Sequence, residues 1–174
     1  MSNPATTRSP EALVKDLADS GERIPAYLAL NELGAAALPA IKAGLEHPHW
    51  QVRRWCAILL DHLADDEALH ALVPLLRDPK SQVRLWAVHS ISCDGCKVGQ
   101  NPIDTVPLLL ERIEVDESIR VRRMSVAMLA HECRVPDPRI VPVLERILAR
   151  EEDRKLRFHA ERGLKRCAEA GLRV

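Results

Sequence analysis

One short motif recurs along the chain and limits what it can fold into. Val52-Arg53-Arg54-Trp55-Cys56-Ala57, Val83-Arg84-Leu85-Trp86-Ala87-Val88, Val121-Arg122-Arg123-Met124-Ser125-Val126 and Leu156-Arg157-Phe158-His159-Ala160 each set an apolar residue before Arg. Small and apolar residues then follow at helical spacing. A degenerate first copy begins at Glu22-Arg23 and runs on through Ala26, Ala29, Leu30, Leu33 and Gly34. Successive copies lie 30, 31, 38 and 35 residues apart. Self-similarity at such a period is the signature of stacked supersecondary units, each too small to bury its own apolar face.

Each copy is preceded by a second apolar segment, often with Pro in its first turn: Leu38-Pro39-Ala40-Ile41, Val106-Pro107-Leu108-Leu109 and Val141-Pro142-Val143-Leu144. Pro suits a first helical turn because the missing N–H has no partner there in any case. Pro74 falls further inside its segment, where it should kink the helix. Counted from the apolar-Arg pair, offsets 0, 4, 8 and 11 fall within about 80° of a helical wheel. They hold Val52, Cys56, Leu60 and Leu63; Val121, Ser125, Leu129 and Glu132; and Leu156, Ala160, Leu164 and Cys167. Aromatic residues make up 3% of the chain, too few for a fold built on strands. An all-α chain is expected. Helix breaks are expected near residues 21, 35–37, 47–49, 65–67, 78–80, 94–103, 115–117, 134–137 and 151–153.

The apolar-Arg-x-x-Ala-Ala helix, the Pro-started partner and the period near 31 resemble HEAT repeats, most nearly the short type named for phycobilisome lyases. The resemblance spans roughly residues 10 to 170. It implies a right-handed α-solenoid, an α-α superhelix of about five HEAT-like hairpins, with a concave face formed by the second helices. The expected repeats are 10–35, 36–65, 66–94, 103–134 and 137–170, in one domain of residues 10–174 behind a flexible tail of residues 1–9. The degenerate first copy and the charged tail from Glu151 should form polar ends.

Lys+Arg and Asp+Glu number 25 each, a balance that argues against a chain built mainly to grip nucleic acid. The repeated Arg23, Arg53, Arg84, Arg122 and Arg157 form a possible basic ladder, but Asp78, Asp116 and Glu151 lie six residues before three of them. The family resemblance implies that such acids and arginines form hydrogen-bonded ladders between repeats. His47 replaces the acid in the first full repeat, where the ladder should be weakest. Trp55 and Trp86 share offset 3, one repeat apart, and should lie close together. Met124 and His159 take that offset later, so no continuous aromatic platform for bases is expected.

No Gly-rich phosphate loop and no Ser-His-acid set is recognisable, and Ser90 and Ser125 stand alone. His131-Glu132 copies the dipeptide of the di-iron hydroxylase relatives, which need several, and the chain has one. The interval of 38 residues contains an insertion, Cys93–Pro102, with a C-x-x-C at Cys93 and Cys96 and His89 one turn earlier. His62, Cys93 and His131 share offset 10, and Cys133 is nearby. Stacking could gather soft ligands for zinc, but no second C-x-x-C stands at finger spacing. The expectation is plain packing with no metal and no cofactor, His89, Cys93, Cys96, His131 and Cys133 being the ligands to examine.

Met1 to Ser9 is polar with no apolar core of a leader, and no apolar run approaches the ~18 residues of a membrane span. With five cysteines, free thiols in a reducing cytoplasm are expected rather than disulfides. The expected function is a non-enzymatic scaffold whose concave face holds a protein or peptide, through Arg54, Trp55, Trp86, Arg123 and His159. The alternatives are a nucleic-acid binder and a metal-binding or lyase-like accessory subunit. No catalytic residue and no membrane partner is expected.

Overall fold

A computed structural model describes residues 8–93, 96, 101–132 and 137–171. Among these the regular structure is all helical, as expected: α1 (Pro10–Asp16), α2 (Arg23–Leu33), α3 (Leu38–Gly44), α4 (Trp50–Leu63), α5 (Asp66–Leu72), α6 (Ser81–Ser92), α7 (Thr105–Val115), α8 (Ile119–Glu132), α9 (Ile140–Arg150) and α10 (Arg154–Glu169). The four full motif copies open α4, α6, α8 and α10, each helix starting two residues before the apolar position.

Caps explain the boundaries. Ser9 Oγ accepts from the Ala12 N–H ahead of Pro10 at the first turn of α1. Asp65 Oδ1 accepts from the Ala68 N–H at 2.7 Å, so α5 starts at Asp66 inside the break expected at 65–67. Asp104 and Asp153 cap α7 and α10 in the same way. Gly34 takes φ 55° in the 3-10 turn Gly34–Ala37, a left-handed conformation that favours glycine. Pro74 acts as expected, ending α5 in the 3-10 segment Val73–Arg77. The breaks expected at 94–103 and 134–137 lie in part outside the described residues, as do residues 1–7.

The chain divides into two compact units, Met1–Ile103 and Asp104–Val174. In the first, α1, α3 and α5 pack in one row and α2, α4 and α6 in another, each pair closing as a hairpin. In the second, α7 pairs with α8, α9 with α10, and α8 lies on α10. Val52, Cys56, Leu60, Val121, Ser125, Leu129, Leu156, Ala160 and Cys167 are buried, whereas Leu63 and Leu164 reach the edge of the core. A second buried stripe comprises Ala57, Val88, Val126, Asp61, Ser92 and Ala130. These are offsets 5 and 9, about 140° and 180° round the wheel from the apolar position.

Three expectations are corrected. Cys167 is disulfide-bonded, against the expectation of free thiols, whereas Cys56, Cys93 and Cys96 are not in disulfides. The first copy is not a polar end, since α2 leaves Ile24, Leu28 and Leu33 exposed. By length and composition the stretch Arg23–Gly44 could cross a membrane. It is nevertheless broken by the turn at Gly34, and its Ala26, Ala29, Leu30 and Ile41 are buried among α1–α4.

Candidate functional site

The repeated arginines hold the repeats together. Arg53 Nε and Nη2 donate to the two oxygens of Asp78 at 2.6 and 3.1 Å, and its Nη1 donates to the carbonyls of His47 and Pro48. Arg84 donates to the Asp78 carbonyl at 2.8 Å. Arg122 pairs with Glu151 and donates to the Ile113 carbonyl. Arg157 donates to the carbonyls of Leu148 and Glu151. Each guanidinium thus bonds carbonyls that precede its own helix, and for Arg53 and Arg122 an acid of the next repeat completes it. Arg23, whose following repeat carries His47, bonds only the carbonyls of Leu17 and Ala18 among the described residues. The weakness expected at the first full repeat is not found: Arg53 lacks an acid at His47 but takes Asp78 of the following repeat instead.

The five residues expected on a binding face fall in different settings. Trp55 packs edge-on against Tyr27 at 5.3 Å, and Arg54 lies over its ring at 5.5 Å, a cation–π arrangement. Burial and the nearby Arg23 lower the pKa of Arg54. Arg54 Nε, Trp55 Nε1 and Gln51 Oε1 are buried without a hydrogen-bond partner among the described residues. Trp86 packs edge-on against His89 at 5.5 Å, on the helix that neighbours the one bearing Trp55. Both donors of Arg123 reach the carboxylate of Asp153, the cap of α10. Arg123 is therefore engaged within the fold.

His159 adjoins the exposed Phe158, and burial, then Arg162 and Lys155, hold its pKa below the usual 6.5. The unfolded chain takes up that proton first, so stability should fall as pH drops through 6.5 and below. His159→Gln should flatten that slope in urea titrations run at stepped pH.

The serines are structural: Ser90 donates to the Ala57 carbonyl and Ser125 to that of Val121. A cleft of about 320 Å³ in the second unit is lined by Ile113, Arg122, Arg146, Ile147, Arg150 and neighbouring acids. Arg122 and Arg146 pair there with Glu151 and Glu114.

The insertion carries the remaining chemistry. His89 and Cys93 stand one turn apart at the end of α6, and the Cys96 N–H donates to the Cys93 carbonyl at 3.1 Å, folding the second thiol back. The Cys93 thiol donates to Cys96 Sγ at 2.9 Å. Asp61, buried on α4, completes the group, with His89 Nε2 3.2 Å from its Oδ2. One ligand atom from each of Asp61, His89, Cys93 and Cys96 lies within 4.8 Å of all the others. Burial raises the Asp61 pKa, but contact with His89, the Cys96 thiol and the charge of His62 outweigh it and leave the carboxyl below its usual 3.8. Burial, the Cys93 thiol and Asp61 push the Cys96 thiol up to about 12.

Of the ligands singled out in the sequence, the structure gathers His89, Cys93 and Cys96. His131 is exposed on α8, and Cys133 lies outside the described residues. Asp61 escapes a sequence reading confined to the first apolar stripe. The signal that could have found it is an Asp at offset 9, where the next copies carry Ser92 and Ala130.

Comparison with known proteins agrees with this architecture. The family model for HEAT repeats matches residues 10–92. Among curated proteins no match is found. One crystal structure of an engineered protein superimposes with TM-score 0.60 at 22% identity, over 92% of this chain and 80% of its own. A second engineered protein gives TM-score 0.54 at 20% identity, over 91% and 47%. A computationally designed armadillo repeat protein for modular peptide recognition gives 0.57 at 17% identity, over 94% and 89%. The fold is thus that of the helical repeat proteins, and residues 10–92 match the HEAT-repeat model.

Proposed function

We propose that the chain is a non-enzymatic interaction module that holds a protein or peptide along the second helices of the first unit. The observation that carries this reading is the half-buried group of Tyr27, Arg54 and Trp55, beside the helix that bears Trp86. Tyr, Trp and Arg are the side chains that dominate binding hot spots, because each presents a large rigid surface with a polar handle. Repeat proteins of this fold commonly serve as scaffolds, and one structural neighbour was designed for peptide recognition. Arg123, tied to Asp153, is assigned here to the fold and not to the binding face.

The test starts with affinity capture from native lysate, and each captured partner is then titrated in purified form. Arg54→Ala with Trp55→Ala should weaken the partner by roughly 30-fold or more. Undiminished affinity for every partner would remove this face from the proposal. Retardation of DNA at low salt that fades as salt rises would replace the proposal with the nucleic-acid reading.

A further inference from the structure

We propose that Asp61, His89, Cys93 and Cys96 form a closed structural site for one zinc ion. Two thiolates, an imidazole and a carboxylate are a ligand set that zinc takes in tetrahedral geometry. Bonds of about 2.0–2.3 Å to such an ion place neighbouring ligand atoms about 3.3–3.8 Å apart. The distances already present, 3.2 Å from His89 Nε2 to Asp61 Oδ2 and 2.9 Å between the two sulfurs, fall slightly inside that edge. The ion would need the sulfurs to part by less than an ångström or so.

The backbone holds three of the four ligands. His89 and Cys93 share one helical face, the hydrogen bond from the Cys96 N–H to the Cys93 carbonyl fixes the tight turn, and Asp61 is built into the packed seam between α4 and α6. Asn101 then ties the end of the insertion back to α6 through the Ile91 carbonyl at 2.7 Å. A repeat needs none of these features. A buried carboxylate is costly without a compensating charge, and Asp61 Oδ1 is buried without a hydrogen-bond partner among the described residues; a dication compensates it. Binding exchanges the hydrogen bonds within the cluster for four metal bonds, and the two thiol protons leave to solvent. Plain packing, the expectation from the sequence, accounts for the cysteines but not for the convergence of Asp61 and His89 on them.

The experiment uses the whole chain, reduced with a phosphine, dialysed against zinc and then against metal-free buffer. Elemental analysis should find about one zinc per chain. Cobalt added instead should give a thiolate-to-cobalt charge-transfer band and the visible bands of a tetrahedral ion. Cys93→Ser and Cys96→Ser should each weaken binding by roughly a hundredfold or more, and Asp61→Asn by at least tenfold. His70→Ala, on the exposed side of α5, should leave it unchanged. Trp86, edge-on to His89, should report loading as a change in fluorescence. Less than about a tenth of an equivalent in the reduced chain, folded by circular dichroism, overturns the proposal, as does the same cobalt spectrum in the Cys93→Ser, Cys96→Ser double variant. If those variants do not fold, the cobalt spectrum of the unaltered chain decides, and absence of the thiolate band sinks the site.

Discussion

Gly163→Leu is expected to destabilise the second unit by about 3 kcal/mol or more. Gly163 is buried within α10, and a Cβ placed there would lie 2.7 Å from Leu144 Cδ1, 3.1 Å from Ala130 Cβ and 3.3 Å from Ala130 Cα. The tip of Leu144 can turn aside. Ala130 cannot, because its Cα belongs to the backbone of α8, so the two helices would have to part. Glycine inside a helix costs about 1 kcal/mol relative to alanine, a cost offset here by the close approach of α8 and α10. Gly163→Ala should therefore show a net loss of only about 1 kcal/mol, overpacking set against better helix propensity. Adding Ala130→Gly to Gly163→Ala should recover part of the loss, a coupling of about 1 kcal/mol between touching sites. Urea midpoints at unchanged m-value measure all three. A Gly163→Ala chain more stable than the parent would show that the helices are not in such close contact.

The same geometry explains what can be read in the residues alone. The second helix of each hairpin is legible because the small and apolar residues at offsets 0, 4 and 8 recur in every full copy. The side toward the neighbouring repeat is less legible. Small or polar residues there, such as Ala57, Asp61 and Ala130, carry little hydrophobic signal although they are buried. Asp61 belongs to that hidden stripe, so the C-x-x-C of the insertion is visible in the sequence while its fourth ligand is not. Arg123 fails for a related reason: its partner Asp153 lies 30 residues on, and only the stacking of α10 on α8 brings the two together. The arginine ladder, by contrast, is legible from its six-residue spacing to an acid, because a turn of constant length must be tied down in each copy. The spacing does not reveal that Arg53 takes the acid of the following repeat and the carbonyls of its own.

That division of labour leads to a second large effect. Asp78→Ala should cost about 3 kcal/mol, the lower end of what breaking a buried ion pair from one side costs. The Asp78 side chain is 5% exposed and that of Arg53 14%, so little water reaches either group. Asp78 accepts both forks of Arg53 and also the Lys80 N–H at 2.8 Å, so its loss frees a guanidinium and a turn donor together. Asp78→Asn keeps one oxygen, which can accept from the Lys80 N–H and Arg53 Nη2, but turns an amide donor toward Arg53 Nε and removes the charge, and should cost less than Asp78→Ala. Arg53→Met together with Asp78→Ala should recover stability relative to Asp78→Ala alone, because no unpaired charge is left in the seam. Arg23→Met should cost less than Arg53→Met, since among the described residues Arg23 holds only backbone carbonyls. Thermal or urea unfolding of the five chains decides the matter. If Arg23→Met were as damaging as Arg53→Met, the carbonyls of the turns would carry the ladder and the pairing with the acid of the next repeat would add nothing.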